Sequence, residues 1–171
     1  CAPSPSIFWV FRIAHALERF TFEPHERIDV IPADWCAQAL CELALKPQLA
    51  HDLYHVSAGD ASCNRFIDID TAFAAAHGTP PVAPRYQRVA VDDLRSLVPL
   101  FEQKLGRVNR LLILRALTLY GAFAELNYVF DNQRLLAEGV LPAPQIVDYV
   151  GECVRTSEGV PLVEQMAYDF K

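Results

Sequence analysis

The sequence predicts a partial α/β fold over residues 1–91 followed by a mainly helical part over residues 92–171, with helix dominating the whole chain. Three observations predict it. In the first 78 residues, segments with an apolar period of 3.6 alternate with short segments of period two, the pattern of parallel strands joined by helices. Thr79-Pro80-Pro81-Val82-Ala83-Pro84 then interrupts the alternation as a linker. Beyond Asp92 only helical periods remain, broken at Gly106, Gly139 and Gly159 and at Pro142, Pro144 and Pro161.

Taken in order, Pro3 and Pro5 precede a helix from Ser6 to about Phe20, with Ile7, Val10, Phe11, Ala14, Leu17 and Phe20 on one stripe. Glu26 to Ile31 alternates polar and apolar, which predicts a short strand over 28–31. Pro32-Ala33-Asp34 punctuates it, and Asp34 is placed to cap a helix from Trp35 to about Leu45 that ends at Lys46-Pro47. Asp52 to Ser57 alternates again, predicting a second strand over 53–57 that stops at the turn Ala58-Gly59-Asp60. Ser62 or Asn64 opens a third helix, Arg65 to Ala76, closed by His77-Gly78. Arg88 to Val91 makes one last short strand, and helices follow at about 92–104, 107–127, 131–138, 144–157 and 160–169. Leu111 to Phe130 is the most apolar stretch, but Arg115, Glu125 and Asn127 interrupt it, so it does not span a membrane. It reads as a helix buried over most of its circumference, or as one lying against an acyl chain or a membrane surface.

Composition narrows the function classes. With 171 residues the chain is long enough to bury roughly 70% of its unfolded surface, and a hydrophobic fraction of 52% excludes a disordered chain. Asp and Glu outnumber Lys and Arg by 21 to 15, a net charge of −6, which argues against a nucleic-acid partner. Arg107, Arg110 and Arg115 are the one basic cluster and read as a solvated helix face. The five cysteines (Cys1, Cys36, Cys41, Cys63, Cys153) are scattered without a CxxC, which points to buried thiols in a reducing, cytoplasmic setting. The chain starts at Cys1 and its one methionine is Met166, so it reads as cut from something longer.

The chemistry-bearing motifs are mostly missing. No two of the seven glycines lie within four residues of each other, so no glycine-rich phosphate cradle can be built. No tyrosine has a lysine four residues on, and Ser57 lacks the GxSxG setting of a nucleophile elbow. His51 and His55 stand four apart in a segment of strand pattern with no acidic third ligand, so no metal is expected. Asp29 with Asp34, and Asp68 with Asp70, pass for paired carboxylates, but capping and solvation account for them.

Two stretches rise above this background. Arg27-Ile28-Asp29-Val30-Ile31-Pro32-Ala33-Asp34-Trp35-Cys36-Ala37, followed by Tyr54-His55-Val56-Ser57-Ala58-Gly59, resembles the C-terminal half of an extended short-chain dehydrogenase/reductase. More narrowly it resembles the fatty acyl-CoA reductase or male-sterility branch and the thioester reductases beside it, with Ile31, Ala33 and Trp35 replacing the commoner Val, Val and Tyr. Asn127-Tyr128-Val129-Phe130-Asp131-Asn132, with Gln145 to Val150 after it, is similar to the tail of the acyl-CoA reductases. The resemblance covers about residues 5–80 and, less specifically, 88–171. It implies a Rossmann-type parent whose nucleotide loop and Tyr-x-x-x-Lys pair lie upstream. It further implies NADP- or NAD-dependent reduction of an acyl thioester to aldehyde or alcohol by that parent, with no catalytic or cofactor-binding residue in this chain.

Among individual residues, Arg27 at the start of a strand is a candidate to face the substrate cleft and hold a phosphate or a thioester-linked carrier. Its alternative is an ion pair with Glu26, Asp29 or a helix end. Phe8, Trp9 and Phe11, with Tyr120, Phe123 and Tyr128, are candidates to line an apolar acyl groove, against the alternative of plain core. Three functions stay open. The first is the substrate-binding part of a reductase, inactive alone, with peripheral membrane contact and self-association through exposed apolar surface as consequences. The second is a non-catalytic lipid- or protein-interaction module on the same scaffold, and a sugar-nucleotide epimerase or dehydratase parent is a variant of the first. The third is a helical protein whose alternating start is coincidental.

Overall fold

Helix α1 (Ser6–Leu17) is apolar around nearly its whole circumference, and it is buried accordingly: Phe8, Trp9, Val10, Phe11, Ile13, Ala14 and Leu17 all lie in the main core. Its polar exceptions reach outward to partners, Arg12 donating to Gln165 Oε1 at 2.6 Å and to the Val160 carbonyl at 3.0 Å. The helix ends earlier than expected because Glu18 takes a left-handed φ of 55°, and Arg19–Phe20 leave it as strand β1. The computed structural model describes residues 6–169 apart from residue 107; Cys1, Pro3, Pro5 and Arg107 lie outside the described residues.

After β1 come β2 (Arg27–Ile28), α2 (Ala33–Ala44), the single turn α3 (Gly59–Ser62), β3 (Asn64–Arg65) and α4 (Phe66–His77). A 3-10 turn (Ala83–Arg85), β4 (Gln87–Arg88) and a second 3-10 turn (Val91–Ser96) lead into α5 (Leu97–Leu105), α6 (Arg110–Glu125), α7 (Gln133–Ala137), α8 (Ile146–Thr156) and α9 (Leu162–Asp169). The described residues are helix-dominated, 59% helical and 5% strand. β1 pairs parallel with β4, Arg19 opposite Gln87, and β2 pairs antiparallel with β3, Arg27 opposite Arg65.

The strands are therefore shorter and less parallel than the sequence predicts. The expected strand over 28–31 is a two-residue strand at 27–28, and the one over 88–91 sits at 87–88. Residues 53–57 enter no ladder among the described residues. Their exposure still alternates, Leu53 and His55 outward and Tyr54 and Val56 half-buried, so the side-chain period is that of a strand while the backbone partner is missing.

Two expected caps are also corrected. α2 starts after Pro32, two residues before Trp35, and Asp34 sits within its first turn, accepting the Trp35 N–H at 2.8 Å. α4 starts after Arg65 with no side-chain cap; Ser62 Oγ instead donates to the Ala143 carbonyl at 2.6 Å and Asn64 Nδ2 to Gln145 Oε1 at 2.8 Å. Gly78 closes α4 in the left-handed conformation that His77-Gly78 suggests, at φ 68°.

The main core draws on both sides of residue 91: Phe66, Ile69 and Phe73 of α4 and Leu97, Phe101, Ile113, Leu117, Val150 and Met166 surround α1. A second, smaller cluster joins Ala39 and Leu43 of α2 to Leu135 and Val140, with Trp35, Tyr54 and Val56 against it. α6 turns Ile113, Ala116, Leu117 and Gly121 to the core and leaves Leu111, Leu119 and Phe123 exposed, so it has one buried and one open apolar face. Among the described residues no helix is long and apolar enough to cross a membrane.

Candidate functional site

The three stretches singled out in the sequence meet at Asp29. Its carboxylate accepts the Ala58 N–H at 2.8 Å through Oδ1 and the Phe130 N–H at 3.3 Å through Oδ2, tying 27–31, 54–59 and 127–132 together. Further bonds run directly between the last two: Asn132 Nδ2 donates to the Ser57 carbonyl at 3.0 Å, Ser57 Oγ to the Phe130 carbonyl at 3.3 Å, and His55 Nδ1 to the Asp131 carbonyl at 2.9 Å. Asn127, in a left-handed conformation at φ 47°, turns its Oδ1 to accept the Arg27 N–H at 3.1 Å. Gly59 is required where these stretches touch: at φ 65°, a Cβ on it would lie 2.2 Å from Asn132 Oδ1.

A small groove of about 20 Å³ opens beside this junction, between Arg27, Ile28 and Asp29 on one wall and Phe123, Ala124, Leu126, Asn127, Tyr128 and Phe130 on the other. Arg27, Phe123 and Tyr128, singled out in the sequence about a hundred residues apart, thus face one space. Phe8, Phe11 and Tyr120 do not reach it. Phe8 and Phe11 are buried in the main core, Phe8 against Phe73 at 5.9 Å, and Tyr120 meets the Trp9 ring edge-on at 4.8 Å.

At the groove's edge, the Arg27 guanidinium bonds the carboxylate and the carbonyl of Asp60 in the single turn α3, an ion pair of the kind the sequence offered as the alternative to a substrate contact. That hydrogen bond outweighs burial and holds Arg27 above its ordinary value, so it is a fixed cation. Cys63 lies near it, half-buried; burial first, then the charge of Asp29, pushes its thiol up to about 11. A thiol so placed stays protonated at neutral pH and is no nucleophile. The site therefore offers an apolar wall beside the carboxylate of Asp29 and a guanidinium already paired with Asp60, and its chemistry is that of holding an apolar group against a polar rim.

The remaining candidates are structural. His51 N–H donates to Tyr54 Oη at 2.8 Å, and among the described residues no group of His, Cys, Asp and Glu can hold a metal ion. Cys36, Cys41, Cys63 and Cys153 are free thiols. Asp68 pairs with Arg65, while buried Asp70 accepts the N–H groups of Val82 and Ala83, each at 2.8 Å, and bonds His15 Nδ1 at 3.2 Å. Asp29, which the sequence assigned to capping or solvation, instead holds the Ala58 and Phe130 N–H groups, and Asn127 and Asn132 went unrecognised; the one available signal was that each sits inside a stretch already quoted for its pattern. No protein-family model matches the chain, and no curated protein or solved structure matches it at a significant level.

Proposed function

We propose that this chain is the substrate-binding, C-terminal portion of a Rossmann-type NAD(P)-dependent reductase of acyl thioesters, with the groove between Arg27 and Phe123 taking the acyl part. The observation that carries the reading is the convergence: the stretches that resemble acyl-CoA reductases come together through Asp29 and border one groove that is polar at Arg27 and Asp29 and apolar at Phe123, Leu126, Tyr128 and Phe130. Each methylene buried against such a wall contributes about 0.8 kcal/mol, so an extended apolar face discriminates by chain length better than polar contacts do. The nucleotide cofactor has no cradle in this sequence, so no hydride step is assigned to these residues.

The open apolar face of α6 also favours a second reading, a lipid-binding module without catalysis. Calorimetric titration of the chain with octanoyl- and palmitoyl-coenzyme A tests the binding common to both. Palmitoyl-coenzyme A is expected to bind more tightly, and Phe123→Asp to weaken it more than the octanoyl ester. Equal weakening of both, or no binding by the native chain, overturns the acyl groove. Reduction of the bound thioester after fusion to an upstream nucleotide-binding half separates the reductase from the module.

A further inference from the structure

We propose that residues 127–130 are a strap that closes the groove beside Asp29 and swings aside on Asn127 to admit the acyl part, an inference that rests on the acyl reading of that groove. The space left there, about 20 Å³, has room for roughly one water and for no acyl chain. One wall must therefore move for the groove to fill, and the two walls differ in how firmly they are held. Arg27 and Ile28 belong to β2, which is paired to β3, and Ile28 is buried in the main core. The opposite wall runs out of α6 into residues that belong to neither helix nor strand.

Among the described residues, 127–130 makes no backbone–backbone hydrogen bond, and the bonds that hold it each use a side chain. Asn127 Oδ1 accepts the Arg27 N–H at 3.1 Å. The Phe130 N–H donates to Asp29 Oδ2 and the Phe130 carbonyl accepts from Ser57 Oγ, each at 3.3 Å, beyond the usual range. The His55 ring meets Phe130 edge-on at 5.6 Å, but Tyr128 is 60% exposed and Phe130 41%, so little apolar burial supports these bonds. A segment with few buried contacts and exposed hydrogen bonds opens at low free energy. Its two ends are fixed. Gly121 seats α6 against Leu94 and Thr21, and Asn132 is 4% exposed with its Nδ2 on the Ser57 carbonyl at 3.0 Å.

Asn127 is the hinge because its φ of 47° is left-handed, a minority conformation in which asparagine is enriched several-fold over most residues. Rotation of this residue to an ordinary φ redirects the next three and releases the Arg27 and Phe130 bonds together. Opening turns Tyr128 and Phe130 from wetted rims into walls that an acyl chain can bury.

Two measurements test this, the first without ligand. Amide exchange of the native chain is followed at rising urea below the unfolding transition. Ala58 and Phe130 are the internal comparison, since their N–H groups bond the two oxygens of one carboxylate. The Phe130 amide is expected to exchange at a rate insensitive to urea, by local opening, while that of buried Ala58 speeds up with urea. Phe130 exchanging in step with Ala58 overturns the strap. The second measurement is calorimetric titration of Asn127→Ala with palmitoyl-coenzyme A. Alanine loses the bond to Arg27 and disfavours the closed φ, so the open state gains population with the helical circular dichroism unchanged. Phe130 exchange is expected to rise about tenfold, and the ester to bind about tenfold more tightly than to the native chain. Unchanged exchange overturns the hinge, and faster exchange with unchanged or weaker binding overturns the strap as a gate. Binding by neither chain overturns the acyl reading instead, and the exchange comparison, made without ligand, still decides the strap.

Discussion

Asp29 shows how one side chain can position a site by holding distant backbone in place. Its two oxygens hold N–H groups from segments 29 and 101 residues away in sequence, and one of these, Phe130, is a wall of the groove. In Asp29→Asn the charge is lost and at least one bond becomes an amide N–H facing an N–H. Hydrogen bonds to a charged group contribute about 1.5–3 kcal/mol, so denaturation should show a loss of about 2 kcal/mol. The amides of Ala58 and Phe130 should exchange faster while those of α1 do not. Glu138 works in the same way on a different loop: it accepts from Tyr54 Oη and from the Ala50 N–H, and pairs with Lys46 at 3.2 Å. The Tyr54 bond chiefly, then the Ala50 N–H and Lys46, push its carboxyl down to about 2 from the ordinary 4.5. Because the folded value is the lower one, the loop gains stability that is complete above about pH 4.5 and is lost as the pH falls toward 2. Exchange at residues 46–54 should therefore rise through that window. Glu138→Gln should remove the acid limb and leave the loop equally loose at pH 7 and pH 3.

At the scale of elements, α6 is positioned by what it lacks. Gly121 is buried, and a Cβ there would lie 2.7 Å from Leu94 Cδ1 and 3.1 Å from Thr21 Cγ2, while Thr21 Oγ1 donates to the Gly121 carbonyl at 2.7 Å. Leu94 is itself fully enclosed, so it cannot swing away. Overpacking of this kind costs about 1–3 kcal/mol, and Gly121→Val should lower stability by that amount, measured by urea denaturation, and displace Phe123 from the groove. The helices were legible in advance because apolar period and Gly or Pro breaks are local: α2, α4 and α8 lie within about two residues of the expected spans. The strands were not, because a strand needs a partner that its own sequence does not contain, and residues 53–57 carry the right alternation without one. Phe8 and Phe11 illustrate the same limit for side chains. Helical spacing of aromatics says that they are buried, and their surroundings decide whether core or ligand buries them. Asn127 and Asn132 escaped notice because their partners, Arg27 and Ser57, lie 100 and 75 residues away.

For the molecule as a whole, the division into two hydrophobic clusters sets where it opens first. The main cluster surrounds α1 with residues from α4, α5, α6, α8 and α9, whereas α2 and α7 meet in a satellite of four buried residues. Local opening follows buried apolar contact, so the satellite should exchange its amides at a lower free energy than the main core. Leu135 is the test because it is fully buried and belongs to the satellite alone. Leu→Ala at such a site costs about 2–5 kcal/mol in transfer and cavity terms, a large share of what four residues supply. Leu135→Ala should release α2 and α7, seen as faster exchange at 33–44 and 133–137, while α1 and α4 keep native protection. The groove would loosen with them, since Tyr54 and Val56 of the satellite lead into Ser57 and Ala58, which bond Phe130 and Asp29. A uniform acceleration across all helices would mean instead that the two clusters unfold as one cooperative unit.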